Sequence, residues 1–137
     1  TVTCSSTDTH GNIGRATFVV TVQDTTPPTI VSETPSTGVL WPPNGKMVPV
    51  AIAVSATDAV TTTPPCSIDN VSSSEPVGGT SPAWAITAPL VLMLKADRLG
   101  TGPGRTYTIA VTCSDAAHNN STRSTTVVVP HDQGKSR

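Results

Sequence analysis

The sequence predicts an all-β fold: an antiparallel β-sandwich of about seven strands, preceded by a hairpin that belongs to a different unit. Three observations point there. Thr, Ser and Val abound, 13 prolines and 10 glycines punctuate short runs, and charged residues make up only 12 % of the 137, a composition of strands and turns. Period-2 alternation recurs along the chain, and helical periodicity is sustained nowhere. One pattern occurs twice: a strand carrying a cysteine, a polar Asp…Asn turn, then a Thr/Val-rich strand. Its copies are Thr1–Ser5, Asp8–Asn12 and Ala16–Val22 near the N-terminus, and Ile109–Ser114, Asp115–Asn119 and Thr125–Val129 near the C-terminus.

Residues 1–23 read as the closing hairpin of an incomplete domain. Val2 and Cys4 share one face of its first strand, and Phe18, Val20 and Val22 alternate with Thr17, Val19 and Thr21 in its second. Pro27 and Pro28 lack backbone donors and hold φ near −65°, so residues 24–28 read as a short, stiff linker. A complete domain then spans 29–130, followed by a tail, 131–137. Thr29–Ser32 opens the domain, and Asn44-Gly45 marks a turn before its clearest strand. That strand, Met47–Thr57, sets Val48, Val50, Ile52, Val54 and Ala56 on one face, with Pro49 hinting at an edge or bulge. Cys66–Val71, Trp84–Thr87, Leu90–Lys95 and Tyr107–Cys113 follow, separated by loops that include 58–65, 75–82 and 99–104. About seven strands, turning every 8–12 residues, is the spacing of an immunoglobulin-like sandwich. Tyr107, near the start of the penultimate strand, is placed to tie its hydroxyl to backbone at a sandwich corner.

The balance of 8 Lys+Arg against 9 Asp+Glu argues against nucleic acid, which demands clustered cations. The apolar run Ala88–Leu94 is far too short to span a bilayer, so no membrane insertion is expected. The three cysteines lack C-x-x-C spacing, which leaves zinc unsupported and suggests a disulfide plus one leftover thiol in an oxidising, extracellular setting.

The run Val2–Asn12, with Thr17–Val22 and Asp24–Pro28, resembles the end of a hyalin repeat and the linker after it. Leu40–Val50, Ser74–Val77, Gly104–Ile109 and Val129–Gln133 resemble an immunoglobulin-like repeat of bacterial secreted and surface proteins. The resemblance covers nearly the whole chain and implies extracellular modules used in tandem as spacers, adhesive stalks or assembly units. One departure stands out: His118 occupies the place in the second turn where glycine is expected.

Cys66 and Cys113 read as a disulfide between neighbouring strands of one sheet, the alternative being two buried thiols. By repeat equivalence Cys4 matches Cys113, and it is expected to be an unpaired thiol or an intermolecular bond. Asp8, Asp24, Asp58 and Asp115 lie in loops near the junction or the sandwich ends, where calcium would find carboxylates, although turn aspartates commonly cap backbone amides instead. No other cofactor is expected. His10 and His118 fall in similar turn positions, and solvated turn histidines are the plainer reading. Trp41 and Trp84 offer a sugar-stacking surface, against the commoner use of tryptophan in a core. Asn70-Val71-Ser72, Asn119-Asn120-Ser121 and Asn120-Ser121-Thr122 match the N-glycosylation pattern. Glu33 and Glu75 stand isolated, and no catalytic set assembles.

The expected function is a non-enzymatic structural or adhesive module of a secreted or cell-surface protein. Its expected partners are neighbouring immunoglobulin-like domains of the same protein or identical subunits, with surface glycans as a further candidate. Filament assembly through Val2, Phe18, Val20 and Val22 of residues 1–23 is an alternative, because a lone hairpin is marginal in water and open strand edges invite β-addition.

Overall fold

The structure is a computed structural model and describes residues 1–76 and 82–132. The loop expected over 75–82 and the tail over 131–137 therefore lie partly outside the described residues. Among those residues there are nine strands: β1 (Val2–Thr7), β2 (Ile13–Phe18), β3 (Thr29–Pro35), β4 (Met47–Thr57), β5 (Cys66–Ser73), β6 (Trp84–Ala88), β7 (Val91–Lys95), β8 (Gly104–Ser114) and β9 (Asn120–Pro130). β1 and β2 pair only with each other. The other seven form two antiparallel sheets, ordered β3-β4-β7-β6 and β5-β8-β9. Lettered A to G in chain order, these are the A-B-E-D and C-F-G sheets of a constant-type immunoglobulin sandwich. A parallel bridge between Val39 and Val128 ties the segment after β3 to β9.

Alternation explains the core. β8 buries Tyr107, Ile109, Val111 and Cys113 and turns Thr106, Thr108, Ala110 and Thr112 toward its other face. Val127 and Val129 of β9 lie on the same inner surface, facing Val50 and Ile52 of β4 and Leu92 and Leu94 of β7 across the sandwich. Full burial of each such side chain is worth about 1.5–3 kcal/mol. Pro49 sits in an inner strand of its four-stranded sheet, yet its environment is that of an edge. β3 pairs with β4 only as far as Ile52, so at Pro49 the ladder runs to β7 alone.

Cys66 and Cys113 face each other in the β5–β8 ladder and form the disulfide, with Cα atoms 4.0 Å apart. An antibody domain bridges its two sheets from B to F. Here the bond lies within one sheet, from C to F. The 47-residue separation corresponds to about 4 kcal/mol of loop-closure stabilisation in the chain-entropy account.

The other end of the sandwich is closed by polar groups. The Tyr107 hydroxyl donates to Lys95 O at 2.8 Å, pinning the start of β8 to the end of β7. Trp84 packs its edge against the Tyr107 ring, with centroids 6.2 Å apart. Arg105 is buried beside them. It donates to Tyr107 Oη at 3.3 Å and to Glu75 Oε2 at 3.3 Å, and its guanidinium carbon lies 5.7 Å from the tyrosine ring centre. Glu75, expected to be isolated, is thus one half of a buried ion pair, and its Oε2 also accepts from Leu99 N at 2.8 Å. Gly104 opens β8 at φ 115°, and a Cβ there would lie 2.7 Å from Val129 O, so only glycine lets β8 and β9 close at this end.

Two outcomes check this reading. Replacing both Cys66 and Cys113 with alanine should lower unfolding stability by about 4 kcal/mol in guanidinium titrations, and an unchanged midpoint would contradict the cross-link's role. Arg105→Met should cost about 3–5 kcal/mol by stranding the Glu75 carboxylate, whereas pairing it with Glu75→Leu should recover most of that loss. Equal and additive losses in this double-mutant cycle would show that the two charges do not act as a pair.

Candidate functional site

The two Asp…Asn turns are built alike. Asp8 Oδ1 accepts from the amides of His10 (2.8 Å) and Asn12 (2.9 Å), and Asn12 Nδ2 donates to Asp8 Oδ2 at 2.9 Å. Asp115 Oδ1 accepts from the amides of Ala117 and Asn119, both at 2.8 Å, and Asn119 Nδ2 donates to Asp115 Oδ2 at 2.8 Å. The backbone closures match too: Asp8 N to Asn12 O and Gly11 N to Asp8 O correspond to Asp115 N to Asn119 O and His118 N to Asp115 O. Gly11 and His118 both take the left-handed conformation, with φ of 80° and 69°. The non-glycine His118 therefore occupies the position that favours glycine, as its place in the sequence implied. His10 corresponds to Ala117, so the two turn histidines are not equivalent, contrary to expectation.

These turns fix the correspondence of the strands. Thr7 pairs with Ile13, and Ser114 with Asn120, immediately outside each turn. Counting outward, Val2 and Cys4 match Ile109 and Val111, while Val20 and Val22 match Val127 and Val129. Cys4 is therefore not the counterpart of Cys113; Ser6 is. The shared Cys-Ser dipeptide does not mark equivalent positions, because Cys4 precedes its turn aspartate by four residues and Cys113 by two. Both positions share the inward face, since a two-residue offset preserves the side.

Burial separates the two hairpins completely. Every residue of β1 and β2 is exposed, and Cys4 is an exposed thiol outside the disulfide. Val20 and Val22 are 58 % and 95 % exposed, while their counterparts Val127 and Val129 are 0 % exposed. β2 also ends at Phe18, which pairs with Val2, earlier than the alternation through Val22 implied.

Asp24, Asp58 and Asp115 converge where the linker meets the sandwich. One carboxylate oxygen from each lies within 4.8 Å of the other two. Asp8, the fourth expected member, stays in its own hairpin turn. Asn119 Nδ2 also donates to Asp24 O at 3.0 Å, so the turn grips the linker backbone. Asp58 Oδ2 caps Val60 N and Thr61 N, and Asp24 Oδ1 accepts from Thr26 N. Asp24 Oδ2 is buried and has no hydrogen-bond partner. Burial pushes the Asp115 carboxyl up, but the Asn119 side chain, the Asn119 and Ala117 amides and the Asp24 side chain outweigh it, so its pKa falls below the usual carboxylate value. A neighbouring cleft of about 490 Å³ is lined by Val22, Asp24, Thr26, Val60, Ala116 and Ala117.

Three carboxylates, hard oxygen donors without imidazole or thiolate, suit calcium in kind. They fall short of its six to eight oxygens unless water and carbonyls complete the shell. The two tryptophans do not act together: Trp84 is held against Tyr107, and Trp41, preceding a cis Pro42, is 41 % exposed.

Comparison with family models, with curated proteins and with solved structures finds no match. Among the described residues, no helix is long and apolar enough to cross a membrane.

Glu33 escaped the sequence reading as a site of tension. A bulge between Ile30 and Ser32 rephases β3, and both Glu33 carboxylate oxygens are buried with no hydrogen-bond partner. Desolvation raises its pKa, and Arg123 only partly offsets this. A carboxyl whose folded pKa is raised favours the folded state in its protonated form, so its contribution is present in acid and lost as pH rises through the folded pKa. Glu33→Gln should therefore raise the melting temperature at about pH 7 and do so progressively less toward about pH 4. A gain that grows in acid would contradict this.

Proposed function

We propose that this chain is a non-enzymatic structural module of an extracellular, secreted or cell-surface protein of the bacterial kind, arranged as a tandem of immunoglobulin-like units. The observation that carries this reading is the second F–G-type hairpin, matched residue for residue to the hairpin that closes the sandwich and joined to it through a Pro-Pro linker. The gripping of Asp24 by Asn119 supports a defined junction between units. The disulfide accords with an oxidising compartment. Protein from its native source should carry Cys66 and Cys113 fully oxidised by mass spectrometry, and a screen of hydrolase and transferase substrates should show no turnover. Reproducible turnover abolished by a point substitution would refute the module reading; reduced cysteines would refute the compartment.

A second reading concerns the junction, and Asp24 Oδ2, buried and unpartnered among three carboxylates, favours it. Calcium bound by Asp24, Asp58 and Asp115 would stiffen the linker against the sandwich. Millimolar calcium should then raise the melting temperature over that in chelator, and Asp24→Asn should abolish the difference. Without a cation, calcium has no effect with or without Asp24→Asn. That outcome would remove the cation.

A further inference from the structure

We propose that the inner face of the β1–β2 hairpin is the F–G face of a second sandwich, and that its occupant is a five-strand half-sandwich of the β3–β7 kind carried on the same polypeptide. This rests on the tandem reading and adds to it which strands the hairpin receives and in what alignment.

The chain itself displays what covers such a hairpin. The β8–β9 counterparts of Val2, Cys4, Val20 and Val22 are Ile109, Val111, Val127 and Val129, all 0 % exposed beneath β4 and β7. The free edge of β1 corresponds to the β8 edge that pairs with β5. A hairpin that repeats the turn, the pairing and the apolar inner positions of β8–β9 fits the same cover. The chain's own β3–β7 half does not supply it, because β8–β9 already covers that half. The alignment also names the strand position opposite Cys4. Val111 lies opposite Ile68, and Cys113 opposite Cys66, so a cysteine pairing with Cys4 must sit where Ile68 stands, two residues past the Cys66 position.

The test extends the full chain. Thr1 matches Thr108, so a copy of residues 24–107 placed ahead of Thr1 supplies a half-sandwich in phase, with the protein's own β3–β7 as probe. In that added copy, Cys66→Ser removes one thiol and Ile68→Cys introduces another. With oxidised glutathione as the electron acceptor, which is reduced to two thiols, the expected result is a disulfide from Cys4 to the introduced thiol, found by peptide mapping. With Cys66→Ser alone in the added copy, Cys4 alkylation should slow by about 100-fold or more relative to the unextended chain. Val20→Asp should leave the unextended chain's melting unchanged, yet abolish this protection. Three results would overturn the proposal: Cys4 labelled as fast as before, an added half that stays protease-sensitive while the C-terminal sandwich melts normally, or Cys4–Cys4 dimers, which would make a second copy the occupant. Enzymatic turnover by the native protein would refute the module reading and leave this pairing intact.

Discussion

A hairpin that closes a sandwich resists opening only when its inner face is covered, and this requirement organises the molecule. β8 lies between β5 and β9, carries the disulfide at one end and Tyr107 and Arg105 at the other, and gives its alternate residues to the core. Cover β8 and β9, and the remaining elements follow: β4 and β7 face them, while β3 and β6 flank those strands. β1 and β2 repeat the local chemistry of this pair without its cover, and all their residues remain exposed. Local turn chemistry and global burial are therefore separable here. Asp8 and Asn12 form the turn as well as Asp115 and Asn119 do, because those hydrogen bonds need only five consecutive residues.

The two ends of β8 are secured by different means. At the Cys113 end the constraint is covalent and local to one sheet. At the Tyr107 end, one hydroxyl, one guanidinium and one carboxylate join β8 to the end of β7 and to the loops around Glu75 and Leu99. A buried ion pair adds little stability over an apolar equivalent, yet breaking it by removing one partner is costly. Here it links Arg105 of β8 to Glu75 and, through Glu75 Oε2, to Leu99 N. At the linker end, Asn119 Nδ2 donates to Asp24 O and Ser121 Oγ donates to Pro28 O, beside three carboxylates that lie close together.

The sequence makes most of the sandwich legible because one buried face imposes period-2 alternation. Met47–Thr57 and Tyr107–Cys113 could be assigned residue by residue on that ground. The disulfide was legible from the strands around it, and the tie from Tyr107 to backbone from its position. What stayed hidden depends on contacts distant in sequence. Arg105 shares the inward phase of Tyr107 and Ile109, and a cation in phase with a core implies a buried acid. Which acid, Glu75, depends on loop geometry thirty residues away. Three of the four junction aspartates do meet, while Asp8 remains with its own hairpin, because their meeting depends on how the linker lies on the sandwich. Val19–Val22 read as strand from their alternation, but a strand also needs a neighbour, which the alternation of one segment cannot reveal.

Native-state hydrogen exchange on the 137-residue chain addresses the central claim most directly, because it reads cover and not composition. The amides of β8 and β9 should exchange only through global unfolding, whereas those of β1 and β2, though hydrogen-bonded in the same pattern around an equivalent turn, should exchange through local opening of a small fraction of that free energy. Equal protection of the two hairpins would contradict the account, since it would mean that turn and pairing alone suffice to hold β1 and β2.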